Sequence, residues 1–131
     1  MNAVWLLMLG GCAGTLSRYY VGRWAQQAWG AHWPYGTLLV NLCGCLLIGA
    51  ALAFSEQTRW FPAWARILAV SGFLGALTTF STLELEALLM ARDGQWGRMA
   101  AYLGVSVACG LALAWLGYVV SARLIRLSGS A

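Results

Sequence analysis

Four long runs of apolar residues, divided by short polar connections, set the pattern of the chain. The first covers about Ala3 to Tyr20 and the second about Gly36 to Phe54. The third covers 67–91, between Arg66 and Arg92, and the fourth 99–122, between Arg98 and Arg123. Each is close to the roughly 20 residues that a helix needs to cross hydrocarbon. None alternates with the period of two that marks a half-buried strand. The pattern predicts an all-α membrane protein with one four-helix transmembrane domain over residues 1–131.

Composition agrees: 61% of residues are hydrophobic, 9% are charged, and the mean hydropathy is +0.71. Soluble domains carry about 25% charged residues, so the lipid bilayer is the expected solvent. Trp24, Trp29, Trp33, Trp60, Trp64 and Trp96 fall at the junctions between runs, where aromatic belts form. Gly10 and Gly14, Gly72 and Ala76, and Gly104 and Ala108 repeat at a spacing that lets helix backbones approach closely. Cys12, Cys43, Cys45 and Cys109 lie inside apolar runs without metal-ligand spacing and read as small packing residues. The first run lacks a basic leader segment and reads as a span rather than a cleaved signal.

Charge adds a topological expectation. All eight basic residues are Arg, and no basic run points to nucleic acid. With loops on alternating sides, Arg59, Arg66, Arg123 and Arg126 face Arg18, Arg23, Arg92 and Arg98, four against four. Orientation follows the basic bias across short loops, and here that bias is nil. An antiparallel homodimer with dual topology is one consequence; a single orientation set despite the balance is the other.

Polar groups at membrane depth carry the candidate chemistry. Asn41, a few residues into the second run, has two readings: a clamp on a neighbouring helix, or an amide donor facing an anion. In the third run, Thr79, Thr82 and Glu86 share one stripe, and Thr78 and Ser81 form the next. A lone membrane hydroxyl usually bonds back to its own helix. Four within five residues suggest a wetted groove or the caps of an interrupted helix. Gly72 and Gly75 leave room for an interruption, although periodicity does not require one. Glu84 and Glu86 precede Arg92 by eight and six residues, about 9–12 Å of helix, which favours a shallow structural role. His32 stands alone in a loop, and no catalytic constellation is present, so the chain is not expected to be an enzyme.

The stretches "GGCAGTLSRY", "GTLLVNLCGCLLIG" and "GFLGALTTFST", in this order across four spans, resemble the CrcB/Fluc family of small bacterial fluoride channels. The resemblance covers nearly the whole chain. It implies an antiparallel homodimer in the bacterial inner membrane, with two pores that let fluoride out of the cytoplasm. It implies a third helix broken near its centre, where carbonyls matching Gly75 and Thr78 hold a structural sodium ion. Asn41 and Phe80 then line the pore, Ser81, Thr82 and Tyr102 fall on its polar track, and Arg18 lies near the vestibule.

One departure stands out. The family reads TTFSTF where this chain reads "TTFSTLELE", so Leu83 occupies the place of a second pore phenylalanine and Glu84 that of a small residue. An aliphatic group lacks the positive ring edge that a fluoride ion meets. Altered permeation with selectivity retained is expected, and Leu83→Phe should change the flux in a liposome assay. The competing readings are a small multidrug-resistance-type proton-coupled exporter, which would need an acid in the first span, and a non-transporting assembly subunit. The first run contains no acid.

Overall fold

The computed structural model describes residues 2–58 and 61–129. Arg59 and Trp60 lie outside the described residues. Helix α1, Ala3–Trp29, starts where the Asn2 side chain accepts from the Val4 N–H and stops at Gly30, whose φ is 78°. It runs well past the apolar stretch ending at Tyr20. The extension "VGRWAQQAW" contains no proline and a single glycine, Gly22, too weak a breaker to end the helix, and Trp24, Trp29 and Tyr35 stack edge to face where it ends. Helix α2, Tyr35–Gln57, begins directly after Pro34 and ends at the extended residue Thr58.

The third span is built from pieces. A single α-turn, α3 (Ala63–Arg66), opens after Pro62 and widens into a π-helical segment over Ile67–Leu74. A second turn, α4 (Gly75–Leu77), follows, and then Thr78 and Thr79 are extended, with ψ of 153° and 117°. Helix α5, Phe80–Arg92, restarts with the Thr79 side chain as its N-cap and ends before Gly94, whose φ is 74°. Helix α6, Trp96–Leu127, completes the chain. No strand occurs among the described residues.

Tyr35–Gln57, Ala63–Arg92 and Trp96–Leu127 are each long and apolar enough to cross a membrane. Helix α1 has the length, at 27 residues, but not the hydropathy. Thr15, Ser17, Arg18, Tyr19 and Tyr20 dilute its second half. The result is a multi-pass, all-helical membrane protein.

Close crossings hold the bundle: Gly22 of α1 lies against Gly36 of α2, and two more extensive contacts join the other helices. At the first, a Cβ on Gly14 would fall on the Phe73 carbonyl and within 3.0 Å of Ala76, and one on Gly10 would strike Leu68 and Gly72. The π-helical segment thus lies backbone to backbone on α1. At the second, Gly49 of α2 faces Ala114 and Gly117 of α6 faces Leu46, each leaving no space for a methyl group. Gly104 has open space around it, so the Gly104–Ala108 pair marks no contact within the chain. All four cysteines are free; Cys45 packs near Gly110, whereas Cys12, Cys43 and Cys109 are exposed.

Buried side chains form three small clusters rather than one core. Val40, Leu74 and Leu77 make one, Ala53, Ala122 and Ile125 another, and Leu83, Ala87 and Tyr102 the third. Much of the outer surface is apolar, including Leu111, Trp115 and Phe80, the last 75% exposed. A soluble monomer rarely shows such area, but lipid or another protein surface covers it at no cost.

Candidate functional site

Thr79, one of the two extended residues, is the polar centre of the molecule and is buried. Its N–H donates to Asn41 Oδ1 at 2.7 Å, and its carbonyl accepts from Asn41 Nδ2 at 3.0 Å. This two-way pair fixes the amide orientation, because the flipped form would oppose two donors and two acceptors. The Thr79 hydroxyl lies 2.9 Å from Thr82 Oγ1 and 3.4 Å from Ser81 Oγ, and it accepts from the Thr82 N–H at 3.3 Å. Asn41 therefore clamps α2 to the interruption and still holds one N–H in reserve, since its NH2 carries two donors.

The same bonds strip two carbonyls of their helical donors. In a continuous helix, the Gly75 carbonyl would accept from Thr79 N–H and the Thr78 carbonyl from Thr82 N–H. Here Thr79 N–H turns to Asn41 and Thr82 N–H to the Thr79 hydroxyl. Thr78 is held by a bond from its own hydroxyl to the Leu74 carbonyl at 3.0 Å, while its methyl group fills the space left by Gly44. Oxygen atoms released in this way suit a hard cation, which takes carbonyl ligands.

A second polar group lies two turns further along α5. Glu86 accepts from Thr37 Oγ1 at 2.8 Å through Oε1 and from Tyr102 OH at 2.6 Å through Oε2. It joins α2, α5 and α6 and, among the described residues, pairs with no Arg. Tyr102 is fully buried, with its ring edge-on to Trp33, and its hydroxyl hydrogen is committed to Glu86. Tyr102→Phe leaves one carboxylate oxygen without its donor. A loss of about 1–2 kcal/mol in unfolding free energy is expected, read from unfolding of the purified protein in detergent.

Three cavities connect these groups. One, about 470 Å³, is walled by Asn41, Gly75, Thr78, Thr79, Phe80 and Leu83. A smaller one, about 310 Å³, holds Arg18 with Thr15, Thr37, Thr79 and Thr82. The third, about 580 Å³, is polar and opens between Thr37, Glu86 and Arg98. Thr79 borders the first and second, and Thr37 the second and third. At the outer mouth Arg98 donates to the His32 carbonyl and to Gln95 Oε1 and lies over the Trp33 ring. A larger cavity, about 700 Å³, is apolar and lies elsewhere, along Ile48, Leu52, Leu111 and Trp115.

Most residues singled out from the sequence meet here. Asn41, Thr78, Gly75, Ser81, Thr82 and Arg18 surround Thr79 directly or through a shared cavity. Phe80 stands at the outer face of the chain. Leu83 is 7% exposed and packs with Ala87 and Tyr102, so a phenylalanine there must repack that cluster as well as reach the cavity. Thr79 and Thr37 join the site beyond the residues expected from the sequence. Thr79 sits on the polar stripe and could have been found there; Thr37, a single hydroxyl at a helix start, gives no signal in the sequence.

An all-helical membrane protein with an interrupted span, a clamped amide and a run of hydroxyls is built for handling an ion rather than for covalent chemistry. Residues 5–118 match the family described as CrcB-like protein, Camphor Resistance (CrcB), and the chain belongs to this family. It is similar to the fluoride-specific ion channel FluC of Acidobacterium capsulatum, with 44% identity over 95% of this chain and 99% of the relative. A channel of the same name from Geobacillus kaustophilus is 40% identical over 92% of this chain and 98% of its own. One from Moorella thermoacetica is 42% identical over the same shares, 92% and 98%. The family is one of ion channels and not of enzymes.

Proposed function

We propose that this chain is a fluoride-selective channel of the bacterial inner membrane, letting fluoride leave the cytoplasm through two pores of an antiparallel homodimer. The observation that carries the reading is the Asn41–Thr79 pair. It leaves one Asn41 amide N–H uncommitted on the wall of a cavity that Phe80 also lines, and the Thr79 hydroxyl on that wall sits beside those of Ser81 and Thr82. Fluoride holds its water tightly, and a pore must replace that water with donors. Amide and hydroxyl hydrogens supply them, and the edge of an aromatic ring carries the positive end of its quadrupole. Arg18 adds positive potential to the adjoining cavity and acts as the vestibule residue.

A second copy of the chain explains two further features. Among the described residues Phe80 is the most exposed aromatic ring, yet it stands at the interruption rather than at a membrane interface. The carbonyls of Gly75 and Thr78 have lost their helical donors, and two copies meeting at this point bring four such oxygens together. A structural sodium ion held there satisfies carbonyls that lipid cannot solvate. The break in the third span thus serves the cation on one side and the pore on the other. The balanced Arg count permits the opposed orientations that such a dimer needs. The exporter reading fares worse: α1 holds no acid, and both oxygens of Glu86 already accept hydroxyls.

Purified protein in liposomes is expected to release trapped fluoride rapidly and to retain chloride. Replacing sodium by a large organic cation is expected to weaken the dimer or slow the flux. Equal release of both halides would refute fluoride selectivity. Indifference to sodium would remove the role given to Gly75 and Thr78.

A further inference from the structure

We propose that Glu84 is a further permeation-determining residue, whose carboxyl group must carry a proton for fluoride to pass through the Asn41–Phe80 cavity. This rests on the channel reading above. Glu84 follows Phe80 by four residues on α5, so the two side chains are neighbours on one helix face. It borders the same cavity as Asn41, Phe80 and Leu83. Among the described residues that line this cavity, it is the one charged side chain. The wall is otherwise mostly apolar, so little screens a carboxylate from an entering anion.

Glu86, two residues on, differs in kind. Both of its oxygens accept hydroxyls from Thr37 and Tyr102, whereas none of the described residues bonds to Glu84. The other groups facing Glu84 are neutral donors or weak ones. They are Asn41 and Cys45 from α2, Thr78 and Thr79 at the interruption, and Ser106 from α6; the π-helical segment contributes only Val70 and Leu74. The Cys45 thiol is a weak donor. An ionised Glu84 accepts only and repels fluoride. A protonated Glu84 turns its O–H into one more donor, beside the spare N–H of Asn41.

Fluoride efflux from liposomes, followed from neutral to mildly acidic pH, tests this. Protein-free vesicles at each pH give the baseline for hydrogen fluoride crossing bare lipid. A single required proton makes the wild-type rate rise by up to about tenfold per pH unit as the medium is acidified. Glu84→Gln and Glu84→Ser are expected to hold one rate at all pH values, near the acid limit of the wild type, and Glu86→Gln to keep the slope. Fluoride flux that is flat in the wild type, or equally sloped in Glu84→Gln, would overturn the role of Glu84 and leave the channel reading standing. So would a slope lost only in Glu86→Gln. Absence of flux from folded wild type and variants at every pH would overturn both.

Discussion

Asn41→Asp is expected to abolish fluoride efflux and to loosen α2 from the interrupted span in the same step. The wild-type amide donates to the Thr79 carbonyl at 3.0 Å and accepts from its N–H at 2.7 Å. An aspartate keeps the second bond and loses the first, setting a carboxylate oxygen against a buried carbonyl. Leaving that carbonyl unpaired costs about 1–3 kcal/mol. The second amide N–H also disappears, and a negative charge takes its place on the wall of the proposed pathway. Two unit charges about 4 Å apart repel by about 4 kcal/mol at an effective dielectric of 20. A drop of at least about a hundredfold in flux follows, because each 1.4 kcal/mol of added barrier is tenfold in rate. Efflux and unfolding in detergent, measured on the same preparation, separate the two roles. A stable protein without flux assigns Asn41 mainly to the anion, and an unstable one mainly to the clamp. Undiminished flux would take Asn41 out of the pore.

The readability of these features in the sequence follows from the range of the forces behind them. Hydropathy reports on the solvent of each segment, so the bundle and its connections could be read from composition and period alone. The helices nevertheless run past the apolar runs, α1 to Trp29 and α6 to Leu127. A helix continues through polar residues until a capping glycine or proline stops it. The hydroxyl cluster pointed to the right stretch of the third span. Its use did not show, because the decisive bonds join residues 38 and 49 positions apart, Asn41 with Thr79 and Thr37 with Glu86. Asn41 had two readings, and the geometry accommodates both: one amide hydrogen clamps and the other remains free.

The spacing of small residues was a mixed guide for the same reason. Gly10, Gly14 and Gly72 sit where backbones touch, whereas Gly104 faces open space within the chain. A small-residue repeat marks a surface that can be approached closely, but not what approaches it. The π-helical widening over Ile67–Leu74 had no sequence signal at all. It lies against α1 at the Gly10–Gly14 surface, immediately before the turn whose carbonyls are released. Such widenings cluster at functional sites, and here the π segment leads directly into the proposed sodium ligands.

Gly44 links that backbone geometry to function and gives the second large effect. A Cβ at Gly44 would coincide with the Thr78 methyl group, so Gly44→Ala forces Thr78 to move. Thr78 yields either by turning its side chain, which breaks its hydroxyl bond to Leu74, or by rotating its peptide, which displaces the carbonyl proposed to face sodium. Overpacking of this kind costs about 1–3 kcal/mol, and the expected protein is less stable, insensitive to sodium and slow in fluoride release. Thr78→Ser removes the methyl group and keeps the hydroxyl that bonds Leu74. The double variant Gly44→Ala with Thr78→Ser is therefore expected to recover most of the stability, the sodium response and the flux. A coupling energy of about 0.5–3 kcal/mol in the double-mutant cycle would be the signature of this contact. If Gly44→Ala behaves like the wild type, or if Thr78→Ser restores nothing, the Gly44–Thr78 contact does not position the carbonyls.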